Sequence, residues 1–135
     1  MKRSILAVVA GLAVWVVVAS VLNRGLRMGY LGYAGAEPMM TFTMGMKLAR
    51  LALGVVASLA AGVATGLIAP SARKVPWVLG AIVLALFIPA HVHLWTKFPI
   101  WYHLFFLGTL VPLVVLGATI SRNCFRHQIQ AQTAG

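Results

Sequence analysis

The chain has 135 residues, of which 61% are hydrophobic and 9% charged, where an average soluble domain carries about 25% charged side chains. A chain this short and this apolar has too little polar surface for a water-soluble globule, and its length fits one domain. Eleven Lys and Arg face a single acid, Glu37, for a formal net charge of +10. The cations sit at the ends of apolar runs rather than on one polar face, which points to lipid phosphates as partners and away from nucleic acid.

A helix needs about 20 apolar residues to cross a ~30 Å hydrocarbon core. Four stretches meet that requirement: residues 4–22, 39–69 (cleanest from 51), 75–95 and 100–121. Polar or charged breaks separate them at 23–38, 70–74 and 96–99. Membrane strands would alternate apolar and polar residues. These runs do not, so the sequence predicts an all-α integral membrane bundle of four transmembrane helices.

The first stretch opens with Lys2 and Arg3 and contains Val18-Ala19-Ser20, which resembles a signal-peptide cleavage site. Its apolar run is long for a signal peptide, which favours an uncleaved anchor; both readings leave the N-terminus cytoplasmic. With both termini inside, the inner side holds Lys2, Arg3, Arg73, Lys74, Arg122 and Arg126. The outer side holds Arg24, Arg27, Lys47 and Lys97, with Arg50 near the boundary, a modest positive-inside bias.

In lipid the hydrophobic effect does not drive helices together; close backbone approach does. The second stretch has the residues for this, since Gly54, Ser58, Gly62 and Gly66 recur every four positions. That ridge predicts a central second helix. It serves either packing inside one chain or contact with a second copy or another membrane protein. Ala7 and Gly11 in the first helix, and Gly108 and Gly117 in the fourth, are shorter counterparts. Pro89 and Pro112 each remove a backbone donor and are expected to bend the third and fourth helices. Trp77 at one end, and Trp95, Trp101 and Tyr102 at the other, read as interfacial aromatic belts. The segment 123–135 reads as a polar, mobile tail. It holds the sole cysteine, Cys124, so no intramolecular disulfide exists; a reduced thiol is the simple reading and juxtamembrane lipidation the alternative.

The most informative polar residues, Glu37, Lys47, Arg50, His91, His93 and His103, gather toward one side. At a rise of ~1.5 Å per residue, His91 lies ~22 Å and His93 ~26 Å from Pro76, and His103 ~27 Å back from Ser121. All three histidines therefore fall in the outer third of the membrane. Lys47 and Arg50 share a helical face with Gly54 and Ser58. Glu37, just before Pro38, reads as a first-turn residue of the same helix.

Several roles fit this cluster. Lys47 and Arg50 could simply snorkel to headgroups while the histidines hydrogen-bond locally. The same residues could bind or pass a small or lipid-like anion. A haem or transition metal is the third option, because histidine is a common ligand. His91 and His93, two apart, face nearly opposite directions on a helix, so a metal pairing would join His103 with one of them. Catalysis has little support. Glu37 is the sole side-chain carboxylate, Cys124 lies on the other side, Ser58 and Ser121 have no histidine at their depth, and no phosphate loop or paired-cysteine motif occurs.

The run Phe98-Pro99-Ile100-Trp101-Tyr102-His103, followed by Pro112 and Leu116-Gly117-Ala118 and preceded by the small-residue second helix, resembles small bacterial inner-membrane proteins with four predicted spans. The resemblance covers roughly the last two thirds of the chain. It implies the bacterial cytoplasmic membrane and brings no activity or functional residue with it. The expectation is a non-enzymatic membrane subunit or scaffold acting through helix contacts. Anion binding at the outer cluster is the alternative, and a haem or metal redox protein using His91, His93 and His103 the second alternative.

Overall fold

The computed structural model covers residues 1–135 and contains helices and no strand. Four long helices, α1 (Lys2–Gly29), α3 (Met44–Ile68), α4 (Val75–His93) and α5 (Ile100–Ala134), are each apolar and long enough to cross a bilayer. A single-turn helix, α2 (Tyr33–Ala36), lies between the first two. The protein is an all-α, membrane-spanning four-helix bundle.

Helix ends differ from the hydropathy limits for local reasons. α1 continues past Leu22 through Asn23, Arg24 and Arg27 to Gly29, because hydropathy marks where the lipid ends and not where the helix does. α3 starts at Met44 rather than at 39, where the Thr43 hydroxyl accepts the Met46 backbone N–H at 3.4 Å and caps the helix. Glu37 is therefore not in the first turn of α3; it closes α2, which starts after Gly32 in the left-handed region at φ +81°. α4 ends at His93, short of the expected 95. The segment read as a polar, mobile tail continues α5 as helix to Ala134, with exposed side chains from Asn123 onward. No Gly or Pro lies between Ala118 and Ala134 to stop it. Both α4 and α5 run unbroken through their prolines, Pro89 and Pro112.

The bundle closes as a ring. α3 packs along α5 and α1, α4 packs on α5 and more lightly on α1, and α3 and α4 lie diagonally with little contact. α3 is the most buried helix, with 44% of its most apolar stretch buried against 17% for α1. Its small-residue ridge faces α5. A Cβ on Gly62 would strike the Val114 carbonyl, and one on Gly66 the Ser121 hydroxyl and Ala118 backbone. Gly117 of α5 is the reciprocal position, set against the Leu59 carbonyl. Backbones approach this closely only where side chains are absent, which is what gains dispersion energy in lipid. On the other flank of α3, Gly11 of α1 faces Thr65 and Ala61, and also Leu79 of α4. Gly108 does not join the packing: a Cβ there would meet nothing within 4 Å, and the residue faces outward.

Three apolar clusters fill the interior. Trp15, Ala57, Ala61, Leu79, Val83, Leu110 and Val114 occupy the middle. Ala7, Ala69 and Val75 close the end near the α3–α4 loop. Tyr33, Phe42, Met46, Leu51, Phe98 and Tyr102 close the other, histidine-bearing end.

Candidate functional site

Arg50 is the centre of the polar structure at the histidine end. It lies on the stripe of α3 that also carries Gly54 and Ser58, so it turns inward rather than to headgroups. Its Nη1 donates to the Tyr33 hydroxyl at 2.9 Å and its Nε to the Tyr102 hydroxyl at 3.4 Å. The guanidinium carbon sits 5.0 Å from the centroid of the Phe42 ring, in cation–π range. No carboxylate pairs with it. The one acid, Glu37, is taken by Arg27 at 2.6 Å and by the Asn23 amide at 3.3 Å. Tyr33 in turn donates to Asn23 at 2.9 Å, so α1, α2, α3 and α5 are tied into one network.

A cavity of about 250 Å³ opens beside Arg50. Asn23, Ser20, Arg50 and Tyr102 supply its polar wall. Trp15, Ala19, Leu53, Phe87 and Phe106 supply the apolar remainder. Trp15 is fixed by donating its indole N–H to the Ser58 hydroxyl at 3.1 Å and by packing on Phe87 at 4.7 Å between centroids. A second groove of about 260 Å³, lined by apolar side chains of α1 and α3, shares Leu53 with the cavity. A cation backed by apolar walls is the chemistry of a site for an amphiphile with an anionic head.

His91 and His103 come together beyond this cavity, their Nδ1 atoms 2.6 Å apart. His103 is fully buried, stacked on Trp95 at 4.9 Å and 14° between planes, and its Nε2 has no hydrogen-bond partner. Phe106 packs on His91 at 4.8 Å and on Phe87 at 5.3 Å, which links the histidine pair to the cavity wall.

The structure thus brings together Arg50, His91 and His103 and places Glu37 in the network behind them. Of the two pairings open to His103, His91 makes it. His93 points outward, exposed, and makes no side-chain hydrogen bond. No three His, Cys, Asp or Glu side chains are close enough to hold a metal ion together. Lys47 is half-buried on the same helix and has no side-chain partner. Tyr102, expected in an aromatic belt, is buried and turned inward, while Trp77, Trp95 and Trp101 are 40–57% exposed as a belt requires.

Asn23, Tyr33 and Trp15 were not legible as site residues. Tyr33 opens α2 in the connection after α1, whose path no periodicity fixes, and Asn23 lies on α1 just past the apolar run that marks the span. Trp15 had a signal: the spacing 15, 19, 23 is one helical face that ends on a polar residue. Comparison with family models, curated proteins and solved structures gives no match to this chain.

Proposed function

We propose that this protein binds an amphiphile with an anionic head, such as a carboxylate or phosphate on an apolar tail, in the cavity headed by Arg50. One observation carries the reading: a half-buried guanidinium without a carboxylate partner lines a mostly apolar cavity within the span. A bare cation half-buried against apolar walls is costly unless an anion or water completes its shell. Two tyrosine hydroxyls orient it but do not neutralise it. The role is one of binding or carrying, with no bond made or broken. The alternative of a scaffold acting through the α3 ridge is weaker, since that ridge is already occupied by α5.

The excess of Lys and Arg, the loop charges and the resemblance to four-span inner-membrane proteins support placement in a bacterial cytoplasmic membrane with both termini inside. The Arg50 cavity then lies in the outer half. A reporter fused after Gly135 is expected to read as cytoplasmic; a periplasmic signal reverses the placement without touching the site.

The binding test uses a brominated medium-chain fatty acid and its methyl ester with the protein in zwitterionic nanodiscs, read by quenching of Trp15 after the exposed tryptophans are replaced by Phe. A charge-assisted hydrogen bond contributes about 1.5–3 kcal/mol. The acid should therefore bind about 10- to 100-fold more tightly than the ester. Arg50→Gln should erase that preference. Equal affinity for acid and ester in the unsubstituted site refutes the proposal.

A further inference from the structure

At the opposite end of the bundle, a second polar cavity of about 350 Å³ lies between the start of α4 and the latter half of α5, lined by Arg73, Trp77, Thr119, Arg122, Asn123 and Arg126. Its α5 side follows one helical stripe, since positions 115, 119, 122 and 126 are three or four apart. Three guanidiniums meet here and no carboxylate is near. The one acid, Glu37, is engaged by Arg27 and Asn23 beside the other end of the span. Arg122 is anchored, its Nη2 donating to the Ala72 carbonyl at 3.0 Å, and its Nε is buried without a partner.

Depth decides what such a site meets. Counted from Ile100, Arg122 lies ~33 Å and Arg126 ~39 Å along α5. The first is just beyond a ~30 Å hydrocarbon core and the second a turn further out, at the level of lipid phosphates. Trp77, 57% exposed, stands on the rim where interfacial tryptophans lie. Guanidinium donors match phosphate oxygens in pairs, and Thr119 and Asn123 add polar groups beside them.

We propose that Arg73, Arg122 and Arg126 form a binding site for the phosphate of an anionic phospholipid headgroup. The site is separate from the Arg50 cavity and does not rest on the function proposed for it. A lipid is favoured over soluble phosphate because the cavity sits at the membrane boundary with Trp77 and Val115 on its wall.

The test is lipid retention by the full chain in neutral detergent, read by native mass spectrometry with phosphatidylglycerol, phosphatidylcholine and inorganic phosphate as separate probes. Phosphatidylglycerol should be retained over phosphatidylcholine. Arg73→Gln with Arg126→Gln should weaken that retention about twenty-five-fold, at roughly fivefold for each cation lost. This pair leaves the Arg122–Ala72 bond intact. Arg122→Gln is the second variant, with its melting temperature checked alongside. Equal retention of the two lipids, or retention unchanged in the double variant, overturns the proposal. Inorganic phosphate binding as tightly as the lipid also overturns it, in favour of a soluble anion.

Discussion

His91 and His103 meet through like atoms, Nδ1 to Nδ1 at 2.6 Å, so one ring must donate and the other accept. Two protonated Nδ1 atoms would clash and two bare ones would repel. The pair therefore holds a single proton between the rings. It fixes the α4 end against α5 in the aromatic stack formed by Trp95 and Phe106. Replacing His103 with Ala removes a buried ring and the hydrogen bond together, and should lower stability by about 2–4 kcal/mol. His93→Ala, at an exposed position with no side-chain partner, should stay within about 0.5 kcal/mol. Thermal unfolding in a neutral detergent checks both. Equal losses for the two variants contradict the pairing.

Glycine positions along the bundle divide by what lies opposite them. Gly62→Ala places a methyl group on the Val114 carbonyl, and Gly117→Ala places one on the Leu59 carbonyl. Backbone cannot swing away as a side chain can, so each should cost about 1–3 kcal/mol. Gly62→Leu should cost more and separate α3 from α5. Gly108→Ala adds a methyl to open space and, by helix propensity, should be neutral or stabilising by up to about 1 kcal/mol. Denaturation in mixed micelles ranks the four variants; a costly Gly108→Ala would show that this face has a partner.

How far this was readable follows from what sets each feature. The four spans and the α3 ridge depend on composition and on spacing along one helix, both present in the chain itself. The choice between His91 and His93 was also encoded. Leu79, Val83, Phe87 and His91 are four apart, and the first two are fully buried, so His91 continues the inward stripe. The partners of Arg50 were harder to find. Tyr33 and Asn23 reach it only because α1 extends beyond the apolar run and the chain doubles back through α2. Hydropathy is silent on such a path. Tyr102 reads as interfacial because it is an aromatic at a helix start, although 102, 106 and 110 lie on one face with buried Leu110.

The extension of α5 beyond the membrane makes a separate prediction. Every side chain from Asn123 to Ala134 is exposed, so this part of the helix has no tertiary support. Ending the chain after Arg126 retains the guanidinium cluster and should leave the melting temperature unchanged within about 1 °C, since no buried contact is lost. Circular dichroism should lose only the signal of the removed residues. A marked fall in melting temperature would mean that the extension packs on another surface.

The two tyrosine bonds to Arg50 differ in length, 2.9 Å to Tyr33 and 3.4 Å to Tyr102, and the difference is testable. Hydrogen bonds to a charged group contribute about 1.5–3 kcal/mol at good geometry and weaken with distance. Tyr33→Phe should therefore destabilise the protein more than Tyr102→Phe. Tyr33→Phe also strips a donor from Asn23 and so loosens the carboxamide that holds Glu37. A double-mutant cycle of Tyr33→Phe with Arg50→Gln isolates the pair and should return a coupling of about 1 kcal/mol or more. The corresponding cycle with Tyr102→Phe should return less. If anionic amphiphile is present, it adds a counter-charge to Arg50, and the unfolding midpoint should rise for the Tyr33→Phe protein as it does for the unsubstituted one, because the cation itself is retained. Absence of that rise in Tyr33→Phe would mean that the tyrosine, and not the guanidinium alone, positions the bound head.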